Sequence, residues 1–192
     1  DEYFDIKAIY KYFPARRNGE VIEIFSDNLS EVIETFSFPR QKWGKYLSLN
    51  DYVPSDKMDY IGMFVVSAGE KSRLISNKLI SNGEFYRGHL VNSLGLELAE
   101  STAEYIHHIM REDVGIVDGN LNQEDILKAK YQGKRYSFGY PACPDLSDQK
   151  KLFNLLKPET YGIRLTDGYM MYPEASVSAM VFSQPFTKYF NL

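Results

Sequence analysis

Arg135-Tyr136-Ser137-Phe138-Gly139-Tyr140-Pro141-Ala142-Cys143-Pro144 is the segment of this chain best suited to chemistry. Proline fixes φ and removes an N–H donor, and glycine reaches backbone angles closed to other residues. Such a run cannot be helix interior or central strand. It predicts a rigid loop that holds a guanidinium and exposed peptide groups in one place. A guanidinium presents paired donors in a planar fork, the geometry that grips a carboxylate. The plainer reading is an arginine on a proline-bent surface loop.

Other chemistry-bearing residues are scattered. Glu104 and His108 stand at i, i+4 with His107 beside them, a spacing that places metal ligands on one helix face. Only two or three ligands are visible, fewer than a stable metal site uses, so no metal is expected. Cys143 lies between alanine and proline with no base in sequence reach and reads as a structural thiol. No G-x-G-x-x-G loop occurs, so a nucleotide ligand would be held without a doubly wound fold.

The elements that must position these residues can be read from periodicity. Strand formers cover Ile6–Phe13 and Val21–Phe25, with Pro14–Gly19 as the turn between them and Val32–Phe38 as a third strand. Gln41–Lys57 reads as loop with short elements. The apolar run Tyr60–Ser67 predicts a buried central strand. Helices are expected over Leu74–Leu79 and Gly83–Arg111, broken near Asn82-Gly83. In the second, Val91, Leu94, Leu98, Thr102, Tyr105 and Ile109 make one stripe, and Leu96, Ala99, Ala103, Ile106 and Met110 another. Two stripes predict a helix packed on two sides. Glu100 falls almost opposite the first stripe and at the edge of the second, where an acid can face a cleft. Shorter helices are expected over Asn122–Lys130 and over Ser147–Lys157, the latter capped by Ser147 or Asp145. Ser176–Phe182 reads as a strand. The fold class is α+β: a bent, mainly antiparallel sheet with a long central helix and flanking helices.

Composition bounds the function. At 192 residues the chain is one domain, able to bury roughly 70% of its unfolded surface. Fifteen Tyr and twelve Phe suit a sheet protein. A net charge of −4 with no basic cluster argues against nucleic-acid binding. The apolar runs fall short of the ~18 residues of a membrane span. One cysteine excludes an internal disulfide and points to a cytoplasmic setting. The chain opens on Asp1-Glu-Tyr-Phe without an initiating methionine, as a piece of a longer protein would.

Several motifs then agree in order. Gly139-Tyr-Pro-Ala-Cys-Pro-Asp-Leu-Ser-Asp148 is followed by Gly162-Ile-Arg-Leu-Thr-Asp167, Met171-Tyr-Pro-Glu-Ala-Ser-Val-Ser178, Phe182-Ser-Gln-Pro185 and Lys188-Tyr-Phe190. Upstream stand Phe13-Pro-Ala-Arg16, Asp59-Tyr-Ile-Gly62 and Leu98-Ala-Glu-Ser-Thr-Ala-Glu-Tyr-Ile-His107. Over nearly its whole length the chain resembles the C-terminal reactivation domain of cobalamin-dependent methionine synthase, which binds S-adenosylmethionine.

The resemblance implies roles. Arg135 would hold the methionyl carboxylate, and Glu100 would contact the ligand. Tyr140 and Ala142 would meet the adenosine, although Tyr140 equally fits under the proline bend. Tyr189 and Phe190 would contact the ligand again, although aromatics so near the end also suit a cover for the core. The implied partners are the cobalamin-binding domain of the synthase, whose cofactor is cobalamin, and a flavodoxin-like electron donor. No catalytic residue, nucleic acid or membrane is implied, and this chain alone is not expected to make methionine. Three departures from the family stand out. A helical segment with an acidic ligand, present at the family's N-terminal end, has no counterpart here. Gln184 replaces a frequent histidine, and Tyr136-Ser-Phe138 replaces a frequent Pro-Ala-Pro; both changes are expected to touch loop detail. The alternatives are a stand-alone accessory protein that binds S-adenosylmethionine or a corrinoid protein, and an interaction module with a vestigial pocket.

Overall fold

The computed structural model describes residues 3–117, 119 and 121–192. Strands β1 (Lys7–Asn18), β2 (Val21–Phe25), β3 (Val32–Phe36) and β4 (Asp59–Ser67) come first. Helices α1 (Lys71–Ser81), α2 (Phe85–Asp113) and α3 (Gln123–Leu127) follow. The short β5 (Lys134–Tyr136), α4 (Gln149–Leu156), β6 (Arg164–Leu165), β7 (Met171–Tyr172) and β8 (Ser176–Phe182) complete the order. Six strands form one antiparallel sheet in the order β3-β2-β1-β4-β8-β5, and β6 pairs with β7 apart from it. The α+β class with a long helix on an antiparallel sheet is what the sequence predicts.

Both faces of the sheet centre are covered. Phe64 and Val66 of β4, with Val177, Ala179 and Val181 of β8, pack on Ala99, Ala103, Ile106 and Met110 of α2. The alternate residues Ile61, Met63, Val65, Met180 and Phe182 meet Leu152, Phe153 and Leu156 of α4. Strand residues point alternately to opposite faces, so a strand covered on both sides must be apolar throughout. That is why Tyr60–Val66 reads as a continuous run.

Two expectations need correction. Pro14–Arg17 is strand, not turn: β1 continues to Asn18, and the reversal is confined to Gly19 and Glu20. Pairing with β2 begins at Ala15, so Pro14 has β4 as its one strand neighbour and its missing N–H is tolerated. Nor is α2 packed on two sides. Leu98 and Ile109 border the core, but Leu94 and Tyr105 are 50% and 63% exposed. The apolar pattern counted residues without knowing that sheet and α1 lie on one side.

The α1–α2 contact is close because a glycine allows it. A Cβ on Gly88 would lie 2.6 Å from Ile80 Cγ1 and 2.9 Å from the Ser76 carbonyl oxygen. Lower on α2, His107 is fully buried, with no hydrogen-bond partner on either ring nitrogen among the described residues. Burial, reinforced by Arg111 and Arg135 nearby, lowers its pKa to about 2.

Two outcomes follow. Gly88→Val will lower stability in urea unfolding by about 1–3 kcal/mol, the cost of overpacking a close contact; an unchanged midpoint would show that the helices have room. The unfolded chain protonates His107 near pH 6.5 while the folded chain does not, so stability falls as pH drops below that value. Between pH 7 and pH 5 this group will remove about 2 kcal/mol, and His107→Leu will flatten that slope in urea titrations at the two pH values.

Candidate functional site

The site is built where the sheet ends. β5 is the edge strand, and β8 on its inner side pairs Arg135 with Val181. Arg135 therefore stands on strand, and the proline-bent loop begins just after it. Gly139 turns that loop at φ 88°, where a side chain would be strained. The Gly139 N–H donates to the Cys143 carbonyl at 2.9 Å, and the Cys143 N–H donates to the Tyr140 carbonyl at 2.9 Å. The Cys143 thiol donates to the Ser137 carbonyl at 2.8 Å, and burial pushes its pKa up to about 12. It closes the loop and is not a nucleophile.

The last ten residues form the opposite wall. Tyr136 and Tyr52 each donate a hydroxyl hydrogen bond to the Lys188 carbonyl, at 2.8 and 3.0 Å. The Tyr189 ring meets Tyr136 edge-on with centroids 5.5 Å apart, and Phe190 packs on Tyr52 at 6.4 Å. Gln41 Nε2 donates to the Asn191 carbonyl. Tyr189 and Phe190 are tethered, not frayed.

Between these walls lies a cavity of about 380 Å³. Arg135, Glu100, Tyr140, Ala142, Tyr189 and Phe190 all line it. The six residues that the resemblance implied as ligand contacts are thus brought to one cavity, whereas Glu104, His107, His108 and Cys143 do not line it. Tyr140 is 64% exposed and does not pack under Pro141, whereas Ala142 is buried. Tyr136, Ser137, Pro141 and Asn191 complete the lining. The substituted Tyr136-Ser pair is therefore cavity wall, not loop detail. Its signal was present as a departure inside the motif, but its direction needed the strand register.

The charge arrangement is asymmetric. Arg135 Nη2 lies 3.5 Å from Glu100 Oε2 and 3.6 Å from Glu104 Oε2. Both distances are at the long end for ion pairs, and a guanidinium has five donors. Most of them stay available to a ligand carboxylate. Glu104 was weighed only as a metal ligand; it lies beside the site instead, accepting a hydrogen bond from Tyr131 at 3.2 Å. Burial raises the pKa of the Tyr136 hydroxyl, so it stays protonated as a donor. Gln184 is turned away, donating to Asp59 at 2.6 Å. Among the described residues no group of three or more His, Cys, Asp or Glu is arranged to hold a metal. No helix among them is long and apolar enough to cross a membrane.

Known proteins are similar to this chain in sequence and in fold. The chain is 33% identical over 202 residues to a methionine synthase of Mycobacterium tuberculosis (strain ATCC 25618 / H37Rv), covering 96% of this chain and 17% of that protein. A methionine synthase of Mycobacterium leprae (strain TN) is 32% identical over 204 residues, with the same coverage. The chain thus spans 17% of the length of these curated relatives. A crystal structure of the MetH reactivation domain bound to AdoHcy superposes with a TM-score of 0.89 at 33% identity, covering 98% of this chain and 62% of that one. Residues 1–192 match the family described as vitamin B12 dependent methionine synthase, activation domain. With the match running the full length of the chain and the fold in agreement, the chain belongs to that family.

Proposed function

We propose that this chain binds S-adenosylmethionine in the Arg135 cavity and serves as the reactivation domain of a cobalamin-dependent methionine synthase, supporting reductive methylation of cob(II)alamin. The observation that carries this reading is the convergence of Arg135, Glu100, Tyr140, Ala142, Tyr189 and Phe190 on one cavity. The structural relative bound to AdoHcy supports it.

The chemistry asks little of the protein. A sulfonium is already an activated methyl donor, so orientation and electrostatics suffice and no acid–base dyad is needed. Arg135 holds the ligand carboxylate in its fork. Glu100 faces the ammonium or a ribose hydroxyl. Tyr140 and Tyr189 offer flat faces with polar tips to the adenosine and the sulfonium. Ala142, small and buried, keeps the loop backbone within reach. A cavity of about 380 Å³ suits a nucleoside but not a corrin, so cobalamin belongs to a separate domain of the synthase. Held by that domain, the cofactor would supply the methyl acceptor; S-adenosylhomocysteine would leave, and a flavodoxin-like donor would supply the one electron needed. The setting is cytoplasmic.

Arg135→Ala will weaken S-adenosylmethionine binding by about 1.5–3 kcal/mol in titration calorimetry, the range for a charge-assisted hydrogen bond. Arg135→Lys will recover only part of that, because an ammonium lacks the fork. Affinity unchanged in both variants would remove Arg135 from the site.

A further inference from the structure

We propose that Glu104 is a positioning residue for Arg135: it stays paired with the guanidinium when ligand enters, while Glu100 is the partner that lets go. This rests on the reading that the cavity takes S-adenosylmethionine.

Glu100 and Glu104 stand one turn apart on α2, and their Oε2 atoms lie 3.5 and 3.6 Å from the same Arg135 nitrogen. They are not equivalent. The Glu100 side chain is 57% exposed and lines the cavity, and among the described residues Arg135 is its hydrogen-bond partner. A half-exposed ion pair at that distance contributes little, so displacing it costs little. The Glu104 side chain is 29% exposed and does not line the cavity; it lies in an adjoining groove that Glu100, Tyr131, Arg135 and Tyr189 also line. Its Oε2 accepts a hydrogen bond from the Tyr131 hydroxyl.

Tyr131 is itself clamped. It is buried, with the Arg111 guanidinium 3.8 Å from its ring centroid and the His107 ring edge-on at 5.3 Å. Burial and the Glu104 charge both raise its pKa, which keeps the hydroxyl a donor. Tyr131 restrains Glu104, and Glu104 thereby keeps a negative charge 3.6 Å from Arg135 Nη2, too far for a hydrogen bond but near enough to bias where the guanidinium sits.

The consequence is an exchange of counter-ions. An arginine without a fixed partner loses rotamer entropy when it is immobilised by a ligand. Glu104 restricts that freedom beforehand, which lowers the cost of binding. The incoming carboxylate displaces Glu100, the weakly held partner. Glu100, released, is then available to the ligand's ammonium. The two acids divide the work by exposure and by the Tyr131 tether on Glu104, although sequence spacing makes them look alike.

The test compares S-adenosylmethionine with decarboxylated S-adenosylmethionine, which keeps the sulfonium, the ammonium and the nucleoside. Both are titrated into the wild-type chain, Glu104→Gln and Tyr131→Phe. Glu104→Gln is expected to bind S-adenosylmethionine about tenfold more weakly, the lower end for a lost charge-assisted hydrogen bond, and to bind the decarboxylated form as wild type does. Tyr131→Phe, which keeps the ring against Arg111 and His107, shifts affinity the same way and adds little to Glu104→Gln in the double variant. Unchanged affinity for S-adenosylmethionine in both single variants overturns the proposal. So does an equal loss for both ligands, which marks general damage and not positioning of the carboxylate. A wild-type chain that binds neither ligand overturns the cavity assignment itself.

Discussion

Two tyrosine hydroxyls converge on the Lys188 carbonyl, and the cavity exists because they do. Tyr52 comes from the loop after β3 and Tyr136 from the end of β5, so the two bonds tie the last segment of the chain to two distant parts of the fold. Tyr189, Phe190 and Asn191 follow within three residues and form a wall. Without that anchor a terminal segment would fray. Buried hydroxyls without partners would in turn be costly, so the anchor and the core support each other. Tyr52 also packs edge-on against Phe182 of β8 at 5.8 Å, which links the anchor to the sheet.

The sheet sets the rest. β8 is buried on both faces and carries β5 on its outer side, which places Arg135 on the edge strand, next to the loop that follows. α2 packs on one face of β4 and β8 through Ala99, Ala103 and Ile106, and this contact brings Glu100 and Glu104 to the guanidinium. The cavity is thus bounded by an edge strand, a bent loop and a tail, without the glycine-rich turn and helix N-terminus of doubly wound folds.

The order of short motifs made much of this legible. Arg135, Tyr140 and Ala142 belong to one local segment, and Tyr189 with Phe190 to another, so each group could be picked out without knowing the fold, and the structure brings the two together at one cavity. Glu100 needed only the helix period. Long-range relations were hidden. Glu104 is tied to Tyr131, 27 positions away, and nothing in the spacing distinguishes it from the more exposed Glu100. The inward direction of Tyr136 and Ser137 depends on the register of a three-residue strand against β8. Local signals also misplaced the end of β1, because Pro14 is a breaker except where a strand has one neighbour. The first stripe of α2, with Leu94 and Tyr105 exposed, shows the same limit: periodicity states which residues are apolar, not which partner covers them.

The central claim is that Arg135, the Gly139–Cys143 loop and the C-terminal tail close on one S-adenosyl ligand. Hydrogen exchange of this chain with and without saturating S-adenosylmethionine tests it most directly. The account predicts slowed amide exchange in peptides covering 135–143 and 186–192, with α1 unaffected. Binding that leaves both segments unchanged, or protection centred on another surface, would contradict it.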